Sequence, residues 1–224
     1  GNPDLKPYQA DQLDLALEWY FAPASALTGT FFYKNINSFT VNTIVEAYFE
    51  NGINSGIYRV TQPTNGDSGN VKGFEIAYQQ VFPQLPGVLS GSGLTFSYTF
   101  ADSDTPLINS LTGEKDPLPG LSRHSFNTSA FIEQAWGNAR LTYSWRDAYL
   151  STVQSAAAGG NLYTKAYGQL DATFQYNISG NIKLNLDLIN INGAANQSYV
   201  GYKERTRLYE VNDRRVYFGI RANF

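Results

Sequence analysis

The feature that most restricts this chain is a two-residue apolar period that recurs from end to end. Leu13, Leu15, Leu17, Trp19 and Phe21 alternate with Asp14, Ala16, Glu18 and Tyr20. The same alternation runs through Leu94, Phe96, Tyr98 and Phe100, and through Ala139, Leu141, Tyr143 and Trp145. It returns in Ile182, Leu184, Leu186 and Leu188, and finally in Val216, Phe218, Ile220, Ala222 and Phe224. Successive side chains of a strand point to opposite faces, so this period predicts strands with one apolar side. Weaker segments at 26–36, 71–82, 122–133 and 165–177 fit between them, which makes nine strands.

The runs are long. A soluble strand has about 5–6 residues, whereas a tilted strand crossing a bilayer needs about 9–11. Connections alternate as well. Short turns fall at Ala22-Pro23-Ala24-Ser25, Ala135-Trp136-Gly137-Asn138 and Ser179-Gly180-Asn181, with a medium one at 83–87. Long connections cover 43–69, 104–121, 151–164 and 193–209, and are expected to be loops. Short periplasmic turns opposite long outer loops are the layout of a transmembrane β-barrel. Charge follows the same division. The 40 apolar-phase positions of the nine strands hold no Asp, Glu, Lys or Arg. The 31 positions between them hold Asp14, Glu18, Glu75, Arg140, Asp171, Lys183, Asp187 and Arg221. A lipid-facing Lys or Arg at mid-bilayer costs about 2–4 kcal/mol, while a lumen-facing one meets water. A soluble sandwich or lipocalin-like barrel also alternates. Its outward face would be rich in Lys and Glu, but here that face is mainly Ser, Thr, Asn, Gln, Gly and Tyr.

Composition removes other classes. There is no Cys and a single His, which excludes disulfide scaffolds, cysteine-based metal sites and multi-His metal centres. Aromatics make up 15% of the chain, too many for disorder. Mean hydropathy is −0.31, and no stretch approaches the roughly 18 apolar residues of a spanning helix. Net charge is −3 with no basic tract, so nucleic acid is not an expected partner. Trp19, Tyr20, Phe21, Phe82 and Trp136 sit at the short-turn ends of strands, and Tyr33, Tyr143, Trp145 and Tyr149 nearer the long connections. Two aromatic girdles are expected there.

Nine antiparallel strands cannot close a barrel, and an open edge in lipid leaves backbone groups unsatisfied. Gly1-Asn2-Pro3 has neither the charged start nor the apolar run of a signal peptide. The second observation fits either a processed chain or a piece of a longer one, and the first leads us to expect part of a larger barrel, with residues 1–224 forming one unit.

Several segments resemble TonB-dependent outer-membrane receptors. Asn2-Pro3-Asp4-Leu5-Lys6-Pro7 resembles that family's "NPxLxPE" signature, with Tyr8 in place of the Glu. In the family's order there follow Tyr33-Lys34-Asn35-Ile36 through Phe39, and Asn70-Val71-Lys72-Gly73-Phe74-Glu75. Next come Leu118-Pro119-Gly120-Leu121-Ser122-Arg123-His124, then Arg140 through Arg146, then Leu186-Asp187-Leu188-Ile189-Asn190. The resemblance implies the last nine strands of a 22-stranded barrel in the outer membrane of a Gram-negative cell. It implies active uptake of a scarce solute such as a ferric siderophore, cobalamin or oligosaccharide. The earlier strands, the plug and the segment that engages TonB lie outside this sequence. A passive porin or structural barrel without a plug is the alternative, and neither reading is an enzyme. Implied partners are outer-membrane lipid, lipopolysaccharide, the barrel-assembly machinery, TonB through the missing amino-terminal part, and a small-molecule or oligosaccharide ligand.

The resemblance makes Val216, Phe218, Ile220, Ala222 and Phe224 of the last strand the signal read by the assembly machinery. Arg123, Arg140, Arg146, Tyr149, Tyr163 and Tyr202 are the candidate ligand or lumen residues: arginines attract an anionic chelate, and tyrosines stack on rings. They also suit loop packing or charge networks. Asp102-Ser103-Asp104 and Asn65-Gly66-Asp67 cluster oxygens but lack a calcium loop's full spacing. No cofactor and no metal site are expected. Ser122 and His124 do not form a nucleophile–base–orienter array.

Overall fold

The computed structural model describes residues 2–66, 68–154 and 159–223. Its strands are β1 (Gln9–Ala22), β2 (Ser25–Phe49), β3 (Gly56–Gly66), β4 (Gly69–Val81), β5 (Ser92–Asp104), β6 (His124–Gln134) and β7 (Gly137–Arg146). After these come β8 (Tyr149–Thr152), β9 (Leu162–Thr164), β10 (Tyr167–Asn177), β11 (Ile182–Ile189), β12 (Ala195–Val200), β13 (Thr206–Val211) and β14 (Arg215–Ala222).

Nine strands follow one another in the order β1-β2-β4-β5-β6-β7-β10-β11-β14, each antiparallel to the next. They are the nine alternating segments of the sequence. The register joins their apolar phases into one face. Leu15 lies opposite Phe31, Phe31 opposite Phe74, and Phe74 opposite Phe100. At the other side of the wall Ala172 lies opposite Leu188, and Leu186 opposite Phe218. The eight charged residues named above all fall on the second face. There, neighbouring polar groups satisfy one another: Ser129 and Thr142 hydroxyls are 2.8 Å apart, and Asn127 Nδ2 donates to Ser144 Oγ at 2.7 Å. Gln169 Nε2 donates to Asp171 at 2.8 Å.

No second sheet covers the apolar face among the described residues. Leu17 is 77% exposed, Phe31 62% and Phe218 67%. The buried apolar side chains among the described residues are Val71, Ala101, Leu150 and Tyr199. A soluble sandwich or filled barrel would place Leu15, Phe96, Leu186 and Phe218 in a dry centre. Here they share one uncovered surface, far larger than a water-soluble monomer tolerates. Among the described residues, no helix is long and apolar enough to cross a membrane.

Aromatic rings line both ends of this face. Trp19 lies 5.3 Å from Phe21, and Trp136 lies 6.1 Å from Phe174, at the short-turn end. Phe126 packs against Tyr143 at 5.8 Å and Trp145 at 5.4 Å toward the other end. Gly168 is the flat site beneath Tyr143 and Trp145, and a Cβ there would collide with both side chains. Tyr20 departs from the expected girdle. It sits on the polar face and donates its hydroxyl to Glu18 Oε2 at 2.5 Å.

Three of the four long connections differ from the sequence expectation, because they contain strands. β2 continues to Phe49 and pairs with β3, so that Phe39 lies opposite Gly66 and Phe49 opposite Gly56. At about 3.3 Å per residue, this 25-residue strand far exceeds a band about 25 Å tall, and its second half stands beyond it. β13, β12, β9 and β8 form a separate four-stranded sheet from the connections after β7 and β11. These strands run from three to six residues, too short for an alternation to stand out.

Candidate functional site

The long-connection end holds the most constructed polar site of the molecule. The connection from β5 to β6 leaves the wall at Thr105, whose hydroxyl donates to Asp116 O at 2.6 Å. Asn109 then turns the chain by accepting from the amides of Leu111 at 2.9 Å and Thr112 at 3.2 Å on its Oδ1. Asn side chains mimic a backbone turn in this way. The turn brings Asp116 inward, where it is 4% exposed.

Three groups donate to the Asp116 carboxylate. Asn161 Nδ2 donates to Oδ2 at 2.5 Å, Asn109 Nδ2 to Oδ1 at 3.1 Å, and the Tyr163 hydroxyl to Oδ1 at 3.4 Å. Asn161 is itself buried and fixes the next connection by accepting from Gln154 N at 2.9 Å. The Tyr163 ring stacks on Tyr199 of β12, with centroids 5.1 Å apart and planes 16° apart. One carboxylate thus joins the connections after β5 and β7, and the Tyr163–Tyr199 stack adds the one after β11. Leu111 adds an apolar key, because it lies against Gly160 and Gly201, where a side chain would meet it. Arg205 Nη1 closes the junction by donating to Gly159 O at 3.1 Å. Burial raises the phenol pKa of Tyr163; the Asn161 amide works against this and the Asp116 charge adds to it. Burial likewise raises Tyr199, with Tyr163 adding to it.

A second latch lies beside the first. Arg146, at the end of β7, donates from Nε to Ser122 Oγ and from Nη2 to Gly120 O, both at 2.9 Å. Its guanidinium sits 4.0 Å from the centre of the Tyr149 ring. Gly120 has φ 84, a left-handed turn suited to glycine, and its amide donates to Leu150 O at 2.7 Å. The Leu118–Ser122 motif and the Arg140–Arg146 motif therefore meet in space.

Between these latches and the top of β5 is a cavity of about 310 Å³, lined by Asp102, Arg123, Tyr149, Leu150, Tyr163 and Tyr199 among others. Arg123 Nη2 lies 3.3 Å from Asp102 Oδ1, and its guanidinium also covers the Phe100 ring at 5.6 Å. The cavity offers phenol faces and one ion pair, a lining suited to a flat ligand with a polar edge.

Four of the six candidate residues meet here: Arg123, Tyr149 and Tyr163 line the cavity, and Arg146 supports it. Tyr202 is exposed in the β12–β13 turn and does not line it. Arg140 is on the polar face of the wall near a short turn, 4.9 Å from the Phe131 ring. Of the terminal-strand residues, Val216, Phe218, Ile220 and Ala222 share the apolar face through pairing with β11, and Phe224 lies outside the described residues. Ser122 donates its hydroxyl to Asp147 O at 2.7 Å, while His124 Nδ1 is 2.7 Å from the Tyr98 hydroxyl on the apolar face. Asp102 pairs with Arg123 and Asp104 with Lys115; Asn65 accepts from Lys6 N, and Asp67 lies outside the described residues. Asp116 and Asn161, the centre of the site, were not readable in the sequence. Asp116 follows Glu114 and Lys115 like part of a solvated charge run, and Asn161 follows two glycines like a turn residue.

Comparison with known proteins agrees with this architecture. A family model described as TonB dependent receptor-like, beta-barrel, matches residues 1–191. No curated protein matches the chain significantly. Among solved structures, the siderophore receptor PirA from Acinetobacter baumannii superposes with a TM-score of 0.67 at 14% identity, over 100% of this chain and 33% of that one. The ferric enterobactin receptor PfeA from Pseudomonas aeruginosa, solved with enterobactin, gives 0.64 at 16% identity, over 100% of this chain and 32% of that one. The copper transporter OprC gives 0.63 at 16%, over 99% and 32%. At these identities the likeness shows the fold, and the chain spans about a third of each of these solved chains.

Proposed function

The chain belongs to the TonB-dependent receptor β-barrel family, whose barrels lie in the outer membrane of Gram-negative bacteria, and we propose that it forms the last nine strands of a 22-stranded receptor that actively takes up a scarce solute. The observation that carries this reading is the wall itself. Its register gathers every apolar phase on one side, and its path ends at β1 and β14. Backbone groups at such edges must be paired within the bilayer, so strands of the same barrel are assigned to both of them.

In this reading the apolar face meets acyl chains and the polar face borders the lumen. The cavity of Arg123, Tyr149, Tyr163 and Tyr199 contributes to the ligand-receiving mouth. Its phenol faces suit an aromatic or ring-bearing chelate, and Arg123 suits an anionic one. Ferric siderophores fit this chemistry best among the solutes considered. Coupling to TonB and a plug belong to the rest of the receptor. The terminal-strand residues Val216, Phe218, Ile220, Ala222 and Phe224 serve as the recognition edge for barrel assembly.

The test is ligand binding by the full-length receptor. A panel of ferric chelates, cobalamin and oligosaccharides is titrated against it, and then against Tyr149→Ala and Arg123→Ala variants. We expect one ferric chelate to bind, with affinity falling about tenfold or more in either variant, as loss of roughly 1.4 kcal/mol implies. Binding of a glycan alone would change the substrate class. Unchanged affinity in both variants would remove the cavity from the binding site.

A further inference from the structure

The lipid-facing side carries a groove near the short-turn end, with a volume of about 540 Å³. Its floor is Ala130, Ala139 and Ala172. The register sets Ala130 and Ala172 on either side of Leu141, and Ala139 between Ile132 and Phe174. Phe82 and Leu85 of the β4–β5 connection form one side, and Leu186 of β11 contributes to the other. Elsewhere on this face, rings sit next to rings, as in the row Phe31, Phe74 and Phe100. Three adjacent methyl side chains replace such bulk here and leave a hollow.

Two observations name the occupant. The groove is continuous with the membrane-facing surface and its lining is almost wholly apolar. Within the bilayer the hollow is filled by hydrocarbon and not by water, and a chain seated in it gains van der Waals contact with three walls where a flat surface offers one. In addition, Trp136 lies 6.1 Å from Phe174, a residue of the groove wall. Indole rings favour the headgroup level, so the groove lies at the depth of the periplasm-facing leaflet. We propose that it holds one acyl chain of a phospholipid of that leaflet as a resident lipid. The rest of the wall meets lipids that exchange freely. This assignment presupposes that the wall spans the membrane as described under the proposed function.

Native mass spectrometry of the full-length receptor, extracted from outer membranes in a mild detergent, counts retained phospholipids. Wild type is expected to keep one. Ala130→Leu combined with Ala172→Leu fills the groove and should reduce retention to none. Gly29→Ala lies on the same face, in open space away from the groove, and should keep the lipid. If the double variant does not assemble, Ala139→Leu makes the same comparison. Absence of a lipid in wild type, equal retention in the filled variant, or loss in Gly29→Ala would each overturn the proposal. An adduct with the mass of lipopolysaccharide or an acylated protein would overturn the choice of occupant. Heat-modifiable migration is read alongside: a wild type that never assembles in membrane contradicts the spanning wall, whereas an assembled receptor without the lipid contradicts the groove alone.

Discussion

The nine-stranded wall and the small sheet above it are both antiparallel, yet they are held together by different physics. In the wall, each strand has lipid on one side and water on the other. Side chains of one phase must be uncharged and mostly apolar, and a shift of one residue would exchange the two faces. The small sheet has no such external order. Its strands, β13-β12-β9-β8, are positioned by a buried carboxylate, a stacked pair of phenols and a leucine against two glycines. The wall is specified by its solvents, and the small sheet by a few particular contacts. A disturbance should therefore spread through the wall and stay local in the sheet.

The largest effect should come from placing a charge on the lipid side. Phe218→Arg is expected to cost about 2–4 kcal/mol near mid-bilayer and to lower the fraction of full-length receptor that reaches the heat-modifiable, folded form. Asn185→Arg, one position from Leu186 but on the polar face, should assemble normally. Equal loss in both variants would break the distinction between the faces.

Next in size is the sheet's central carboxylate. Asp116→Ala removes the acceptor of the Tyr163 hydroxyl and the short bond from Asn161, while the Asn109 and Asn161 amides keep the Tyr163 oxygen at 3.1 and 3.5 Å; each group left buried and unpaired costs about 1–3 kcal/mol. Hydrogen exchange should quicken in β9 and β12 and remain slow in β5, β6 and β7. Faster exchange in the wall strands would show that the two regions are coupled.

Alkaline pH should loosen the same sheet. Burial raises the pKa of Tyr163 and Tyr199 in the folded protein. Folding thus favours the neutral phenols, and their contribution is complete below the unfolded value of about 10. It is lost as pH rises through the higher folded values. Titration followed by tyrosinate absorbance should show these two residues ionising late, and Tyr163→Phe should remove one late step.

The smallest effect belongs to the wall's short turn. Ala24 has φ 53, a left-handed conformation that a Cβ resists. Ala24→Gly should relieve roughly 1 kcal/mol of strain and slightly raise the urea midpoint of unfolding, leaving the small sheet unaffected.

The same division explains what the sequence made legible. The nine wall strands, their faces and their short turns follow from alternation, because two solvents act on every residue. Departures come from residues that work against the pattern locally. Tyr20 reads as girdle but turns to Glu18. β3 was hidden because Pro63 interrupts it, which an edge strand tolerates. Most of the small sheet's organisation was not legible. A buried Asp116 and a solvated one look alike in sequence, and nothing near Leu111 marks its contact with Gly160 and Gly201. In the candidate site, Arg123, Arg146, Tyr149 and Tyr163 were identifiable by residue type. Their meeting depended on loops that carry no periodic signal.

The central claim is that one face of the wall meets lipid and the other meets water. The chain has no cysteine, so single thiols can report on it. Cysteines placed in turn at positions 184, 185, 186 and 187, in membrane-embedded full-length receptor with no other thiol, are treated with a membrane-impermeant maleimide. Labelling should alternate, with 185 and 187 reactive and 184 and 186 protected. Reaction at 184 and 186 with protection at 185 and 187, or equal reaction at all four, would contradict the account.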